Sequence, residues 1–276
     1  MFSTKLIVSG QIVEFYKYDL PVRKNNELSA FSEKWKEEFG DSFSCKTAEE
    51  KAMSSFYRSK KNARRIIFSN AWKWFKENGK PHPPFFLTLT FEDNIQDLKL
   101  ANRIFSKFLQ RFNYKLTNVK KAYLQYIGVV EFQQRGAIHY HVIIFNLPYI
   151  RKTVYKTIRE LWGKGRIDLK MVKRTKTLVS YLSKYMIKES ESGKLSGKKR
   201  YFTSRKIRRP IILTEPYHVL TIIGSLHDRL IYEKIFKTGF IGDVEYKEFL
   251  LKQNESILDF GLDPLVKNDI SSLIKK

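Results

Sequence analysis

The order in which residues 85–172 alternate between strand and helix patterns constrains the fold of this chain more than any other feature. Phe85–Phe91 has the sequence FFLTLTF, with leucines and Phe91 on one face and threonines on the other, which predicts a strand. Apolar spacing and turn signals extend this to strand, helix, strand, strand, helix, strand, over 85–91, 95–116, 123–132, 138–146, 153–162 and 166–172.

This order is the ferredoxin-like (RRM-like) arrangement of the α+β class, an antiparallel sheet with helices on one face. In it the first and third strands are central neighbours, and the open sheet face is a natural platform for nucleic acid. A strand pair around Gly10 and a helix over 47–78 occupy residues 1–80, and we expect them to pack on the core. We expect the core to span 81–210 and a mixed α/β extension of unknown role to span 211–276.

The charge balance predicts a polyanionic partner. The 276 residues include 52 lysines and arginines against 28 acidic residues, a formal net charge of +24. Such an excess repels itself in a compact protein, and either nucleic acid or an anionic membrane surface would offset it. The excess is concentrated in residues 51–80 and 151–210. Two concentrated blocks favour a nucleic-acid footprint over a general solubility device.

Cysteine content and hydropathy exclude several classes of protein. The single cysteine, Cys45, excludes a disulfide framework and a multi-cysteine zinc site. No apolar run approaches the roughly 18 residues of a membrane-spanning helix, and the N-terminal apolar stretch is too short for a secretory signal. We therefore expect a soluble protein in the cytoplasm of its host cell, with no membrane partner.

The first basic block provides candidate DNA contacts on the helix predicted over 47–78. Arg58, Lys61 and Arg65 share one face at helical spacing, so they can lie along a phosphate backbone. The downstream end of the same helix is apolar and is expected to dock on protein through Phe68, Trp72 and Phe75.

The second basic block continues into the segment 198–209, KKRYFTSRKIRR. This segment could grip a displaced DNA strand, with Tyr201 and Phe202 available to stack on bases. A disordered basic linker is the competing interpretation. Its candidate DNA-binding residues are Lys199, Arg200, Arg205, Arg208 and Arg209.

A candidate metal site lies on the predicted hairpin. His139 and His141 are two apart in one strand and share a face, and Glu131 falls across the turn from them. Two imidazoles and a carboxylate suit a divalent cation with open positions; ordinary strand residues, non-haem iron and hydrolytic zinc are the alternatives. A phosphate substrate favours Mg²⁺ or Mn²⁺.

The helix predicted over 178–188 carries a stripe of tyrosines and lysines. Tyr181, Lys184, Tyr185 and Lys188 follow spacings of three and four, and the lysines argue against simple core packing of the phenols. Beside a metal, a tyrosine oxygen could attack a phosphodiester and form a phosphotyrosine, while Lys184 stabilises the transition state. The adduct keeps the energy of the broken ester, so a strand end can be rejoined without ATP.

Three motifs in this order resemble those of HUH endonucleases of the rolling-circle replication initiator type: FFLTLTF, GAIHYHVII and YLSKYMIK. The resemblance covers about residues 85–190, and the preceding basic helix is also similar to initiators of bacterial plasmids and phages. It implies that Glu131 is the third metal ligand and that Tyr181 and Tyr185 alternate as nucleophiles, as in gene A proteins of small single-stranded DNA phages. Many plasmid and eukaryotic-virus members use only the first tyrosine with the lysine.

The resemblance also implies the partners, a single-stranded DNA or origin hairpin. No phosphate-binding Gly-x4-Gly-Lys-Ser/Thr motif occurs in the 276 residues, so we expect a host helicase and polymerase to do the unwinding and synthesis. An HUH transposase or relaxase shares the same chemistry and stays open as an alternative. So does a non-catalytic nucleic-acid-binding protein on the same sheet.

Overall fold

The computed structural model describes residues 1–22, 47–71, 82–147, 151–192, 199–238, 242–252, 255–259, 267–268 and 271. Within them the strands are β1 (Phe2–Ser9), β2 (Ile12–Val22), β3 (Phe85–Thr90), β4 (Tyr126–Phe132), β5 (Ile138–Ile144), β6 (Ile167–Met171), β7 (Phe202–Thr203), β8 (Ile211–Leu213), β9 (Leu230–Thr238) and β10 (Gly242–Leu250). The α-helices are α1 (Ala48–Ala71), α2 (Leu98–Thr117), α3 (Arg151–Trp162), α4 (Thr175–Ser192) and α5 (Pro216–Gly224). No described helix is both long and apolar enough to cross a membrane.

The chain divides into two compact units, one of which comprises Met53–Arg208. Its five-stranded sheet has the order β6–β3–β5–β4–β7, and every neighbouring pair is antiparallel. The first and third strands of the predicted pattern, β3 and β5, are therefore central neighbours, with β6 and β4 outside them. The predicted ferredoxin-like α+β order is confirmed.

Both faces of this sheet are covered by helices. On one face the leucines of β3 pack with α2 and α3, around the buried Phe108 and Trp162. On the other face Phe86 and Ile143 pack with α1 and α4 in a second apolar cluster. The expectation of one open sheet face was wrong, because the helices before and after the predicted pattern carry apolar stripes of their own that must be buried.

The segment after α4 is partly a strand of the same sheet. Phe202 begins β7 on β4, and its ring packs edge-to-face on Phe105 and Tyr140 in the core. A Cβ atom at Gly128 would lie 2.5 Å from the Phe202 ring, so this close approach needs glycine. Tyr201 packs against the other cluster. The expectation that these two rings are free to stack on bases was wrong, since the apolar clusters take them up.

The other unit comprises Met1–Ala52 and Arg209–Lys276, and its sheet has the order β8–β1–β2–β10–β9. The predicted strand pair turns at Gly10, where φ is +62°, a conformation that favours glycine. β2 pairs with β10, so the pair shares a sheet with strands from the predicted extension 211–276. Pairings between residues more than 200 positions apart have no local sequence signal.

The helix predicted over 47–78 is described from Ala48 to Ala71 as α1. Glu50 caps its first turn, where its carboxylate accepts from Thr47 N and its own N–H donates to the Thr47 hydroxyl. Phe56, Ile66 and Ile67 are buried on its apolar face. The predicted docking residues Trp72 and Phe75 lie outside the described residues.

Candidate active site

Three polar residues of β4 and β5 converge on the sheet face that α1 and α4 cover. His139 and His141 share this face because alternate residues of a strand do. The antiparallel register puts Glu131 directly opposite His139. All three are buried, with exposed fractions of 8% for Glu131, 8% for His139 and 2% for His141. Charged and polar side chains are seldom buried to this extent unless partners or a metal compensate for lost hydration.

Hydrogen bonds orient the second imidazole from both sides. The Nε2 atom of His141 lies 2.6 Å from Oε2 of Glu131, and its Nδ1 atom lies 3.1 Å from the hydroxyl oxygen of Thr88. Thr88 is the residue of β3 that pairs with His141. With Nδ1 protonated, the ring donates to Thr88 and keeps its Nε2 lone pair toward the carboxylate.

This group can hold a metal ion. One ligand atom from each of Glu131, His139 and His141 lies within 4.8 Å of the others. Two imidazole nitrogens and one carboxylate oxygen are donors that divalent cations accept, and three protein ligands leave positions for substrate oxygens. Thr88 acts as an outer partner that fixes the orientation of one ligand ring.

Two phenol rings of α4 lie over the same part of the sheet. The ring of Tyr185 stacks on the imidazole of His141, with 3.5 Å between centroids and 12° between planes. The ring of Tyr181, one helical turn earlier, lies 5.3 Å from the Phe86 ring of β3. Leu178, Leu182 and Met186 on the opposite spacing are buried, so the helix is fixed with both phenols toward the sheet. Tyr181 keeps 39% of its surface exposed and Tyr185 is half-buried.

The lysines predicted on the tyrosine stripe are placed differently. Lys184 is exposed, and Lys188 lies in α4, with its side chain outside the described part of the chain. The structure thus brings together Glu131, His139 and His141 with the two tyrosines, whereas Lys184 faces solvent.

Sequence reasoning missed a lysine and an aspartate of β6 that share the face of the site. Asp168 pairs with Thr88 and Lys170 pairs with Phe86 across the β3–β6 ladder. The ammonium of Lys170 lies 2.8 Å from the Asp168 carboxylate. That hydrogen bond and charge raise the pKa of Lys170, and the nearby phenols of Tyr181 and Tyr185 raise it further. The signal was present in the alternation of β6, where Ile167 and Leu169 face the core.

The predicted DNA-binding residues occupy the surface of α1 and of the segment after α4. Arg200 is half-buried, with its guanidinium 5.5 Å from the Phe56 ring. The Asn70 side chain of α1 donates to Arg208 O at 2.8 Å and accepts from Arg208 N at 3.1 Å. Arg65 is also half-buried, and the exposed members are Arg58, Lys61, Lys199, Arg205, Arg208 and Arg209, the last within the other compact unit.

Comparison with known proteins points to replication. Residues 84–190 match a family described as replication-associated protein, of the ORF2 type, over a stretch that contains β3 to α4 and every residue of the site. The chain is 33% identical, over 150 aligned positions, to the Phasyl DNA replicon protein arp of Escherichia coli. That alignment covers 45% of this chain and 50% of the relative, so the chain matches about half the length of that protein. No solved structure gives a significant match.

Proposed function

We propose that this protein is an HUH-type endonuclease and strand transferase that nicks and rejoins single-stranded DNA to initiate and terminate rolling-circle replication of a plasmid or phage. One observation carries the proposal: two phenols of one helix lie over a buried carboxylate and two imidazoles on a single sheet face. The match of residues 84–190 to a replication-associated family supports it.

The metal-binding part of the proposed mechanism rests on Glu131, His139 and His141. These residues would hold Mg²⁺ or Mn²⁺, which when bound polarises the phosphate oxygens and offsets developing negative charge. The three donors come from two neighbouring strands, so their spacing is fixed by backbone pairing and needs little rearrangement. Thr88 keeps His141 in one ring orientation.

A tyrosine of α4 supplies the nucleophile. Its oxygen attacks phosphorus, forms an O–P bond and displaces the 3′ oxygen of the preceding nucleotide, leaving a 5′-phosphotyrosine and a free 3′-hydroxyl. The phenolic proton passes to water and the departing 3′ oxygen takes up a proton, so the charge balances. Tyr181 is the more exposed phenol and can meet a strand from solvent, whereas Tyr185 covers His141. In the reverse reaction a 3′-hydroxyl attacks the adduct and reseals the strand.

The lysines near the phenols would stabilise the negative charge of the pentacoordinate phosphorus. Lys184 was predicted for this role from the spacing of α4, and it is exposed. Lys170 is a second candidate, because its ammonium is held by Asp168 close to both phenols. Unwinding and synthesis would come from a host helicase and polymerase in the cytoplasm.

A covalent-adduct assay tests the proposal. The protein is incubated with Mn²⁺ and labelled single-stranded oligonucleotides tiled across the DNA that flanks its gene, and is then separated in denaturant. We expect one oligonucleotide to give a labelled protein band that resists denaturant and disappears with a chelator. Complete absence of the band with every oligonucleotide would leave only a DNA-binding protein.

Substitution of each tyrosine then identifies the nucleophile. Tyr181→Phe with Tyr185→Phe should remove the adduct completely, because no phenol remains over the site. Loss in the double variant alone means that the two alternate, and full loss with Tyr181→Phe alone makes Tyr185 auxiliary. Tyr57→Phe on α1 is the matched control, since this phenol is exposed and lies outside the site. An adduct that persists in the double variant would contradict the tyrosine mechanism.

A further inference from the structure

A basic cavity of about 460 Å³ lies beside Tyr181 where β6 ends and α4 begins. Three of its lining side chains are cations, Lys170, Lys173 and Arg174, and Thr177 and Tyr181 add two hydroxyl groups. The remaining lining residues are apolar, and none of those that line it is acidic. A concave site with several cations and hydroxyl donors is suited to an anion, and phosphate accepts both kinds of donor.

The strand order fixes where this cavity stands relative to the metal-binding group. Glu131 is on β4 and the two histidines are on β5, whereas Lys170 is on β6, with β3 between. Two inter-strand spacings separate β5 from β6, roughly 10 Å. Tyr181 lies over Phe86 of the intervening β3. The phenol therefore stands between the metal-binding group and the basic cavity.

We propose that the cavity binds a backbone phosphate of the DNA strand other than the one that is cut. This inference rests on the proposed function and specifies how that site holds its substrate. A phosphate at the metal-binding group and a second one in the cavity would hold the strand on both sides of Tyr181. Positioning of this kind fixes the attacked phosphorus in line with the phenol oxygen. Contacts to phosphate carry no base information, so the cavity adds affinity and register without sequence preference.

Salt-dependent binding separates this site from a general basic surface. The variants are Lys173→Ala, Arg174→Ala and the pair together, with Lys176→Ala as the matched control, because Lys176 is an exposed lysine of the same helix turn that does not line the cavity. All are made in the Tyr181→Phe and Tyr185→Phe background, so that no covalent step distorts the equilibrium. Anisotropy of a labelled oligonucleotide gives Kd at several salt concentrations.

Each phosphate contact on a single strand contributes about 0.7 to the slope of log K against log salt concentration. We expect the double variant to lose roughly 1.4 from the slope and at least tenfold in affinity at low salt, and Lys176→Ala to lose little. Equal losses in the control and the cavity variants would overturn the inference. Unchanged thermal melting of the variants shows that the exposed substitutions act on binding.

Neutral linkages in the DNA locate the bound phosphate. Methylphosphonate replaces one phosphate at a time along the oligonucleotide, and each Kd is measured with the two-tyrosine background and with the added cavity pair. We expect one position at which the neutral linkage weakens binding to the former but no longer to the latter. If no position shows this coupling, or if a free mononucleotide competes as well as the strand, the cavity does not hold a strand phosphate. Because both readouts are equilibrium binding, they stand even if no covalent adduct forms.

Discussion

Each of the two sheets buries a glutamate on an interior strand, but the partners of the two carboxylates differ. Glu14 of β2 is fully buried and accepts hydrogen bonds from the phenols of Tyr16 and Tyr246, at 3.1 and 3.2 Å. Glu131 of β4 instead meets the Nε2 atom of His141. A phenol satisfies a carboxylate by donating a proton, whereas imidazoles can turn lone pairs toward a cation. The partners, more than the burial, distinguish a structural carboxylate from a candidate ligand.

The tyrosines of the two sheets show the same contrast. Burial and the negative charge of Glu14 raise the pKa of Tyr246 far above its usual value, so this phenol remains a hydrogen-bond donor. Tyr181 is partly exposed and has the ammonium of Lys170 nearby. A nucleophilic phenol must lose its proton during attack, which a neighbouring cation favours and a neighbouring carboxylate opposes. The environment thus assigns one tyrosine to structure and the other to chemistry.

Exchanging each buried carboxylate for its amide tests the contrast most strongly. Glu131→Gln should abolish stabilisation of the protein by Mn²⁺ in thermal melting and lower adduct formation by at least a hundredfold, because one charged ligand is lost. Glu14→Gln should leave the Mn²⁺ shift intact while lowering the melting temperature without metal. Equal Mn²⁺ shifts in the two variants would remove the metal site from β4 and β5.

Removing the cation beside the phenols should have an intermediate effect. Lys170→Ala is expected to slow adduct formation roughly tenfold or more at saturating DNA, since a charge near the developing phosphorane is lost. Single-turnover rates measure this, with Lys164→Ala as a control because Lys164 is an exposed lysine in the turn before β6. Lys184→Ala distinguishes the two candidates, and a larger loss there would return the role to α4.

The structural tyrosine should give the smallest effect, and one on stability alone. Tyr246→Phe removes a donor from buried carboxylates and should lower the free energy of unfolding by about 1–3 kcal/mol at neutral pH, with adduct formation unchanged. Because the folded-state pKa is raised, the unfolded phenol ionises first, so the contribution is complete below about pH 10 and is lost at higher pH. Denaturant unfolding at pH 8 to 11 should therefore show a smaller alkaline loss in the variant. An equal alkaline loss would contradict the raised pKa.

The sequence allowed the order of the site sheet to be predicted because its signals are local. Two-residue alternation in FFLTLTF and IHYHVII assigns faces, and the turn before Gly136 places Glu131 opposite the histidines. The role of Lys170 depends on the pairing of β6 with β3, which are about 80 residues apart, and no local pattern encodes that contact. Phe202 was misassigned because the surrounding arginines suggested a solvent-exposed segment, whereas its ring fills a space left by Gly128.

The paired hydrogen bonds between Asn70 and Arg208 have a consequence for the charge of this protein. They connect the backbone after β7 to a buried side chain near the end of α1, across 138 positions of sequence. The two stretches in which positive charge is concentrated are therefore joined at a fixed separation. An approaching polynucleotide would meet them as one rigid template with a set distance between its cationic edges, instead of two tails that each have to find it separately.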